Sequence, residues 1–257
     1  MSADNGNELI TLAVTGQLAT ITLNRPEKLN AIDPAMLAHL DAIVGHLDHD
    51  PAIRVVLVTG AGGRAFSVGA DVNAWAALQP LDMWRAWTRE GHRVFERLAR
   101  LRQPTIAVVG GFAFGGGLEL ALACDLRLAG ANAEFAQPEV KIGTLPGWAG
   151  TRRLPEIVGV ARAKQMIFSG GRIDAATAAQ WGLVNETVDG DVMARARVLA
   201  DEIATNAPIS VQLAKAAIDG QRDAIEAVAG ALAATSADGR EGIAAFREKR
   251  AAQFEGR

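Results

Sequence analysis

Thr105-Ile-Ala-Val-Val-Gly-Gly-Phe-Ala-Phe-Gly-Gly-Gly-Leu-Glu-Leu-Ala-Leu-Ala-Cys-Asp-Leu-Arg-Leu-Ala129 holds three structural elements in one short stretch. Residues 105–109 are apolar and rich in β-branched side chains, the pattern of a strand buried on both faces. Glycines 115–117 then open a helix that carries Glu119 through Cys124, and residues 126–129 form the next strand. Strand, glycine turn and helix in this order define an α/β fold. The unit recurs loosely along the chain, without spacing regular enough for a sequence repeat.

Upstream, residues 9–14 and 19–23 flank Thr15-Gly16-Gln17 as a β-hairpin. Asp33 supplies an N-cap and Pro34 a first helical residue for a helix to Leu47. Residues 54–59 form another doubly buried strand, and the tryptophan-bearing stretch 81–101 has helical periodicity. Downstream, Asp174 caps a helix that Gly182 stops after Trp181, and residues 184–188 make a last strand. From Asp191 onward the chain is Ala-rich helix, broken mainly at Pro208 and Gly220. The expected division is a core at 1–195 that carries the active site and a helical region at 196–257. Amphipathic helices that follow a completed core need a surface to cover, and a neighbouring subunit supplies one.

The composition narrows the partners. With 257 residues the chain is long enough for one large, well-buried domain. A net charge of -3 gives no electrostatic footprint for nucleic acid or an anionic membrane. The single cysteine, Cys124, cannot form an intramolecular disulfide, which fits a reducing compartment and a cytoplasmic location. Residues 1–8 are polar and acidic and carry no signal or transit pattern, and no apolar run approaches a membrane span. His39, His46, His49 and His92 show no ligand arrangement, so no metal is expected. The mixed-sign stretch 240–257 is expected as a solvated or subunit-facing helix.

The chemistry centres on two carboxylates, Glu119 in its Leu/Ala helix and Glu139 in Phe135-Ala-Gln-Pro-Glu-Val-Lys-Ile-Gly143. Apolar surroundings disfavour their charged forms, and two such groups brought together push their proton affinities apart into donor and acceptor. Taken singly, Glu119 also reads as a helix N-terminal charge and Glu139 as a turn carboxylate. The glycine triplet beside Glu119 exposes backbone N–H groups at a helix start, an arrangement that stabilises a developing oxyanion. Phe66-Ser-Val-Gly-Ala-Asp71 offers a second such loop. A nicotinamide site is not supported. Gly60-Ala-Gly-Gly63 has no helix directly after it, no acidic residue stands where a ribose needs one, and the chain has no tyrosine for a Tyr/Lys pair.

With these motifs in hand the chain resembles the enoyl-CoA hydratase/isomerase (crotonase) family. Asn24-Arg-Pro-Glu-Lys-Leu-Asn-Ala31, Phe66-Ser-Val-Gly-Ala-Asp71, Gly115-Gly-Gly-Leu-Glu119, Gln137-Pro-Glu139, Gly143-Thr-Leu-Pro-Gly147 and Glu241-Gly-Ile-Ala-Ala-Phe-Arg-Glu-Lys-Arg250 run in family order along nearly the whole chain. The resemblance implies a crotonase-like spiral of repeated ββα units with a C-terminal α-helical oligomerisation region, assembled as a homotrimer or a dimer of trimers. It places the catalytic pair on Glu119 and Glu139 and the oxyanion hole on the N–H groups of Ala70 and Gly116. It places substrate and CoA contacts at Lys28, Leu29, Ala31, Ala70, Asp71, Val72, Asn73, Gly116, Gly147, Trp148 and Lys249. Asn73 departs from the family's common lysine at its position. No cofactor is implied, since CoA is part of the substrate.

Family members that only isomerise often lack the first glutamate, so keeping both favours hydration of a 2-enoyl-CoA. An enoyl-CoA isomerase, a hydratase for a branched or aromatic acyl-CoA, and an RNA-binding homologue remain the alternatives. Net acidity and the lack of a Lys-rich helix argue against the last. Trp75, Trp84 and Trp87 fall in the segment that shapes the acyl pocket in this family, and Trp148 follows the Pro-Gly turn near Glu139; at these places bulky rings limit acyl length or simply pack.

Overall fold

The computed structural model describes residues 9–76, 78–220 and 223–257; the polar leading segment 1–8 lies outside them. The chain opens with the hairpin β1 (Ile10–Thr15) and β2 (Leu18–Leu23), followed by helix α1 (Pro34–His49). The Asp33 side chain accepts the N–H of Met36, as an N-cap should.

Three turns of a spiral follow, each laying down one long strand, one short strand and helix. The first is β3 (Val55–Gly60), β4 (Ala65–Ser67), α2 (Val72–Trp75), α3 (Pro80–Asp82), a π-helical segment Met83–Thr88 and α4 (Arg89–Ala99). The second is β5 (Thr105–Val109), β6 (Phe112–Phe114) and α5 (Gly116–Leu122). The third is β7 (Leu126–Gly130), β8 (Glu134–Ala136), a 3-10 turn Glu139–Ile142, α6 (Gly150–Val158) and α7 (Val160–Ser169). Then come β9 (Arg172–Asp174), α8 (Ala175–Trp181) and β10 (Glu186–Val188). Helices α9 (Val192–Ala204), α10 (Pro208–Gly220), α11 (Asp223–Thr235) and α12 (Ala237–Glu248) complete the chain.

The long strands, with the short β10 at one edge, form a six-stranded sheet in the order β1-β2-β3-β5-β7-β10, parallel except for the opening hairpin. The short strands form a second sheet, β4-β6-β8-β9, with only β9 antiparallel. Alternation explains why the long strands read as wholly apolar. Val56, Val58, Ala107, Val109 and Ala129 face the core shared with Phe66, Ala113 and Phe135 of the small sheet. Val55, Leu57, Ile106, Val108 and Leu128 point the other way, against Ala196, Ala200 and Ala204 of α9. Burying each such Val, Ile or Leu is worth about 1.5–3 kcal/mol, so that face needs a cover. Alanines on one stripe of α9 let the helix lie close to it. This helix spans residue 195 and starts after a short turn that follows β10, with Asp191 as its N-cap.

The small sheet supplies the second strand of each ββα unit that the family resemblance implies, although strands of three residues carry no readable alternation of their own. One sequence expectation changes. The expected helix over 240–257 ends at Glu248, where Lys249 turns left-handed at φ 54° and Arg250 N–H returns to Ala245 O at 3.1 Å. The tail then folds back, and the buried Asp238 carboxylate accepts the N–H groups of Glu255 and Gly256 at 2.7 and 2.8 Å. Farther from the sheets, Lys215 Nζ pins α10 to the core through Asp125 Oδ2 at 2.8 Å and Gln103 O at 3.2 Å.

Candidate active site

Two loops at the C-terminal ends of β4 and β6 approach each other backbone to backbone. In each, a glycine with positive φ precedes the residue whose N–H was expected to serve as a donor: Gly69 (φ +94°) before Ala70, and Gly115 (φ +52°) before Gly116. Only glycine adopts these conformations cheaply, and a methyl on Gly69 would sit 2.8 Å from Gly116 N. The loops are therefore held about as close as two chains can lie. As the first residue of α5, Gly116 has no intrahelical acceptor for its N–H.

Ala70 is freed differently. Ile32 forms an isolated parallel bridge with it, donating its N–H to Gly69 O at 2.7 Å and accepting the N–H of Asp71 at 2.8 Å. In such a bridge the opposed residue's own N–H points away from the partner strand, so that of Ala70 is left to face the cavity.

Glu119 stands in the first turn of α5, only 2% exposed. Its Oε1 accepts two backbone N–H groups, Trp148 and Gly150, both at 2.7 Å. Burial pushes its carboxyl up to about 7, with the charge of Glu139 adding to the rise and the two N–H donors and Arg153 opposing it. Glu139 opens the 3-10 turn after β8 and is half-buried. Burial raises its carboxyl to about 7 as well. The amide of Gln137, fully buried, is satisfied with its nitrogen toward Glu139, donating to Oε1 at 2.8 Å and Oε2 at 3.1 Å. Gln137 was quoted above only as part of a motif; two positions before Glu139, it was the available signal.

Both glutamates, Ala70 and Gly116 line one cavity of about 380 Å³, with Val68, Trp75, Met83, Trp87, Leu145 and Trp148 among its apolar walls. Trp148 packs on Trp87 at 5.2 Å and edge-on to Phe95 at 5.1 Å between ring centroids. Space for its indole comes from Gly116 and from Gly91 of α4, where a methyl would fall 2.1 Å from Trp148 Nε1. Trp84 differs from expectation. It is 57% exposed and lines an outer groove with Arg89, which stacks over its ring, and His92. The π-helical segment presents Met83 and Trp87 to the cavity on one side and Trp84 to solvent on the other.

Of the residues expected at substrate and CoA, Ala70, Val72, Gly116, Gly147 and Trp148 line this cavity. Lys28, Leu29, Ala31, Asp71, Asn73 and Lys249 do not; Lys28, Asn73 and Lys249 are exposed, while Ala31 is buried. Leu29 and Asn30 are both left-handed, at φ 53° and 56°. For L-residues that costs about 1–2 kcal/mol each. The buried Asn30 side chain offsets this through bonds to Arg25 N, Ala61 O and Ala65 O at 2.9, 3.0 and 2.9 Å. All four histidines are exposed, and among the described residues no three His, Cys, Asp or Glu side chains gather as a metal site. No helix among the described residues is long and apolar enough to cross a membrane.

An α/β spiral that aims two backbone N–H groups and two protonatable carboxyls into one apolar cavity defines a crotonase-fold protein. The profile of the enoyl-CoA hydratase/isomerase family matches residues 14–257, and the chain belongs to that family. It is 39% identical over 249 residues to a short-chain-enoyl-CoA hydratase of Clostridium acetobutylicum, covering 94% of this chain and 95% of that protein. It is 40% identical over 257 residues to the (E)-benzylidenesuccinyl-CoA hydratase of Thauera aromatica, covering 96% and 99%. Among solved structures, the enoyl-CoA hydratase of Bacillus anthracis superposes with a TM-score of 0.93 at 36% identity, covering 97% of this chain and all of that one.

Proposed function

We propose that this chain is an enoyl-CoA hydratase in which Glu119 and Glu139 act as a proton-transfer pair and the N–H groups of Ala70 and Gly116 hold the thioester oxygen. The observation that carries the reading is the pair itself: two carboxyls, each raised to about 7 by burial, in the cavity that the two free N–H groups face.

Water adds across C2=C3 of a conjugated thioester. Glu119, fixed by two backbone donors, orients the water and takes its proton as the oxygen bonds to C3. Electron density moves through C2 to the carbonyl oxygen, where each N–H donor stabilises it by about 3 kcal/mol. Glu139 delivers a proton to C2, the carbonyl re-forms, and no oxidant, reductant or metal is consumed. The two glutamates titrate as a coupled pair and exchange roles in the reverse direction.

The CoA moiety is assigned to the strap 28–31, to Asp71, Val72 and Asn73, and to Lys249 of a neighbouring subunit. Ile218, Val228, Leu232 and Phe246 of the C-terminal helices are 75, 69, 55 and 85% exposed, which supports residues 196–257 as the contact region of a trimer or a dimer of trimers. The buried, free Cys124 supports a reducing, cytoplasmic setting.

The test is direct. Purified protein should hydrate crotonyl-CoA, followed as loss of the conjugated-thioester absorbance. Turnover of 3-enoyl thioesters with none of any 2-enoyl thioester would replace hydration by isomerisation.

A further inference from the structure

Arg25 touches neither the cavity nor the glutamates, yet it joins the two segments that frame the oxyanion loop. Its main chain closes on Asn30 from both directions: Arg25 N–H donates to Asn30 Oδ1 at 2.9 Å, and Asn30 N–H donates to Arg25 O at 2.9 Å. Its guanidinium Nη1 then reaches Ala31 O at 3.1 Å and Asp71 Oδ2 at 2.8 Å, with Asp33 Oδ2 at 3.4 Å. The pair with Asp71 is well covered, the two side chains being 17% and 12% exposed. The other Asp71 oxygen accepts Asn73 N–H at 3.0 Å and starts α2.

Both chain neighbours of Ala70 are thus tied down. Gly69 is held by Ser67 Oγ at 3.1 Å and by Ile32, Asp71 by Ile32 and Arg25, and Ser67 Oγ itself donates to Asn30 O at 2.7 Å. Without Arg25 the strap would keep its backbone bridge at Ile32, but the residue after the donor would lose the side-chain hydrogen bond that ties it to the strap.

We infer that Arg25 is a positioning residue: by tying Asp71 to the 25–31 strap it fixes the direction of the Ala70 N–H and couples the strap to the oxyanion hole. The inference rests on the hydratase reading above. Its carboxylate partner is already engaged twice, so Asp71 contributes to substrate through its backbone position rather than its charge. Because an oxyanion donor works only when aimed at the oxygen of the transition state, a shift well under 1 Å lowers turnover without comparable loss of substrate binding.

The experiment compares wild type with Arg25→Met, Arg25→Lys and Asp71→Asn. The last keeps an N-cap for α2 while removing the charge, and so tests the pair even if Arg25→Met does not fold. Measured are kcat and KM on crotonyl-CoA, thermal melting, and the enolate absorbance of bound acetoacetyl-CoA, which reports polarisation of the thioester oxygen in the site. Expected are a loss of roughly tenfold or more in kcat for Arg25→Met and Asp71→Asn, KM changed by no more than about threefold, a weakened enolate band in the folded variants, and partial recovery in Arg25→Lys. The inference is overturned if kcat and the enolate band stay at wild-type level in Asp71→Asn. It is equally overturned if KM alone rises, which would make Arg25 a CoA contact, or if lost activity only follows lost folded protein. A wild type that hydrates no enoyl thioester would instead remove the hydratase reading.

Discussion

The two sides of the cavity both raise the proton affinity of a carboxyl, by different construction. On one side Glu119 belongs to the start of a helix, is almost wholly enclosed and is gripped by two main-chain donors that belong to the next layer of the structure. On the other, Glu139 belongs to a single 3-10 turn, is half-buried and leans on one side chain, Gln137, among the exposed Val140, Ile142 and Leu145. Burial raises both carboxyls to about 7. At Glu119 burial prevails over two backbone N–H donors and the charge of Arg153, whereas at Glu139 only a backbone hydrogen bond opposes it. In the proposed reaction, the carboxylate fixed by backbone is the one that orients water, and the one on a turn is the one that delivers a proton to carbon.

The largest effects should come from removing either carboxyl. Glu119→Gln and Glu139→Gln should each lower kcat by about 10²–10⁴-fold in a crotonyl-CoA assay. A fully active Glu119→Gln beside an inactive Glu139→Gln would break the comparison and leave a one-acid enzyme.

Next in size is a linkage effect on stability. Because the folded-state proton affinity of Glu119 is raised from 4.5 to about 7, the folded chain holds more protons than the unfolded chain in that window, and stability falls as pH rises through it. The loss is on the order of 3 kcal/mol by pH 8. Denaturant melts of wild type and Glu119→Gln at pH 5 and pH 8 should show the glutamine chain losing less. Equal losses would mean that Glu119 is not the group that titrates.

Packing around the Glu119 side offers a third handle. Gly91→Ala places a methyl where the Trp148 indole lies, so overpacking should cost about 1–3 kcal/mol. It should also reduce turnover, because Trp148 N–H grips Glu119. The corresponding melt and rate, measured together, sharpen how far the rigid side depends on its aromatic wall. The smallest effect is electrostatic. Arg153, buried and paired to Glu96 at 2.7 Å, favours the ionised Glu119, and one of its terminal nitrogens has no partner among the described residues. Arg153→Met should shift the acid limb of the kcat/KM profile to higher pH, a change read independently of the overall rate.

The two sides also differ in how far the sequence announces them. Glu119 was legible as chemistry because glycines 115–117 and an apolar helix surround it, and the long strands were legible because they bury both faces. The Glu139 side was clearer as a motif than as structure, since β8 and its partners are three residues long and take their shape from pairing with one another. The grip of Trp148 and Gly150 on Glu119 spans 29 and 31 residues of sequence and uses only backbone, so no residue type signals it. For the same reason Arg25 passed as one letter of a motif, its partner Asp71 lying 46 positions away. Trp84 was misplaced because a helical period of i→i+5 rotates side chains away from the faces that an ordinary helix would give them.

The missing methyl at Gly91 also bears on how this cavity can change over generations. Trp148 occupies the volume that any larger residue at position 91 would claim, so bulk at 91 and bulk at 148 compete for one space. A side chain gained at 91 costs less once 148 has shrunk, and bulk restored at 148 favours glycine at 91. The depth of the cavity beside Glu119 is thereby inherited as a two-position trait.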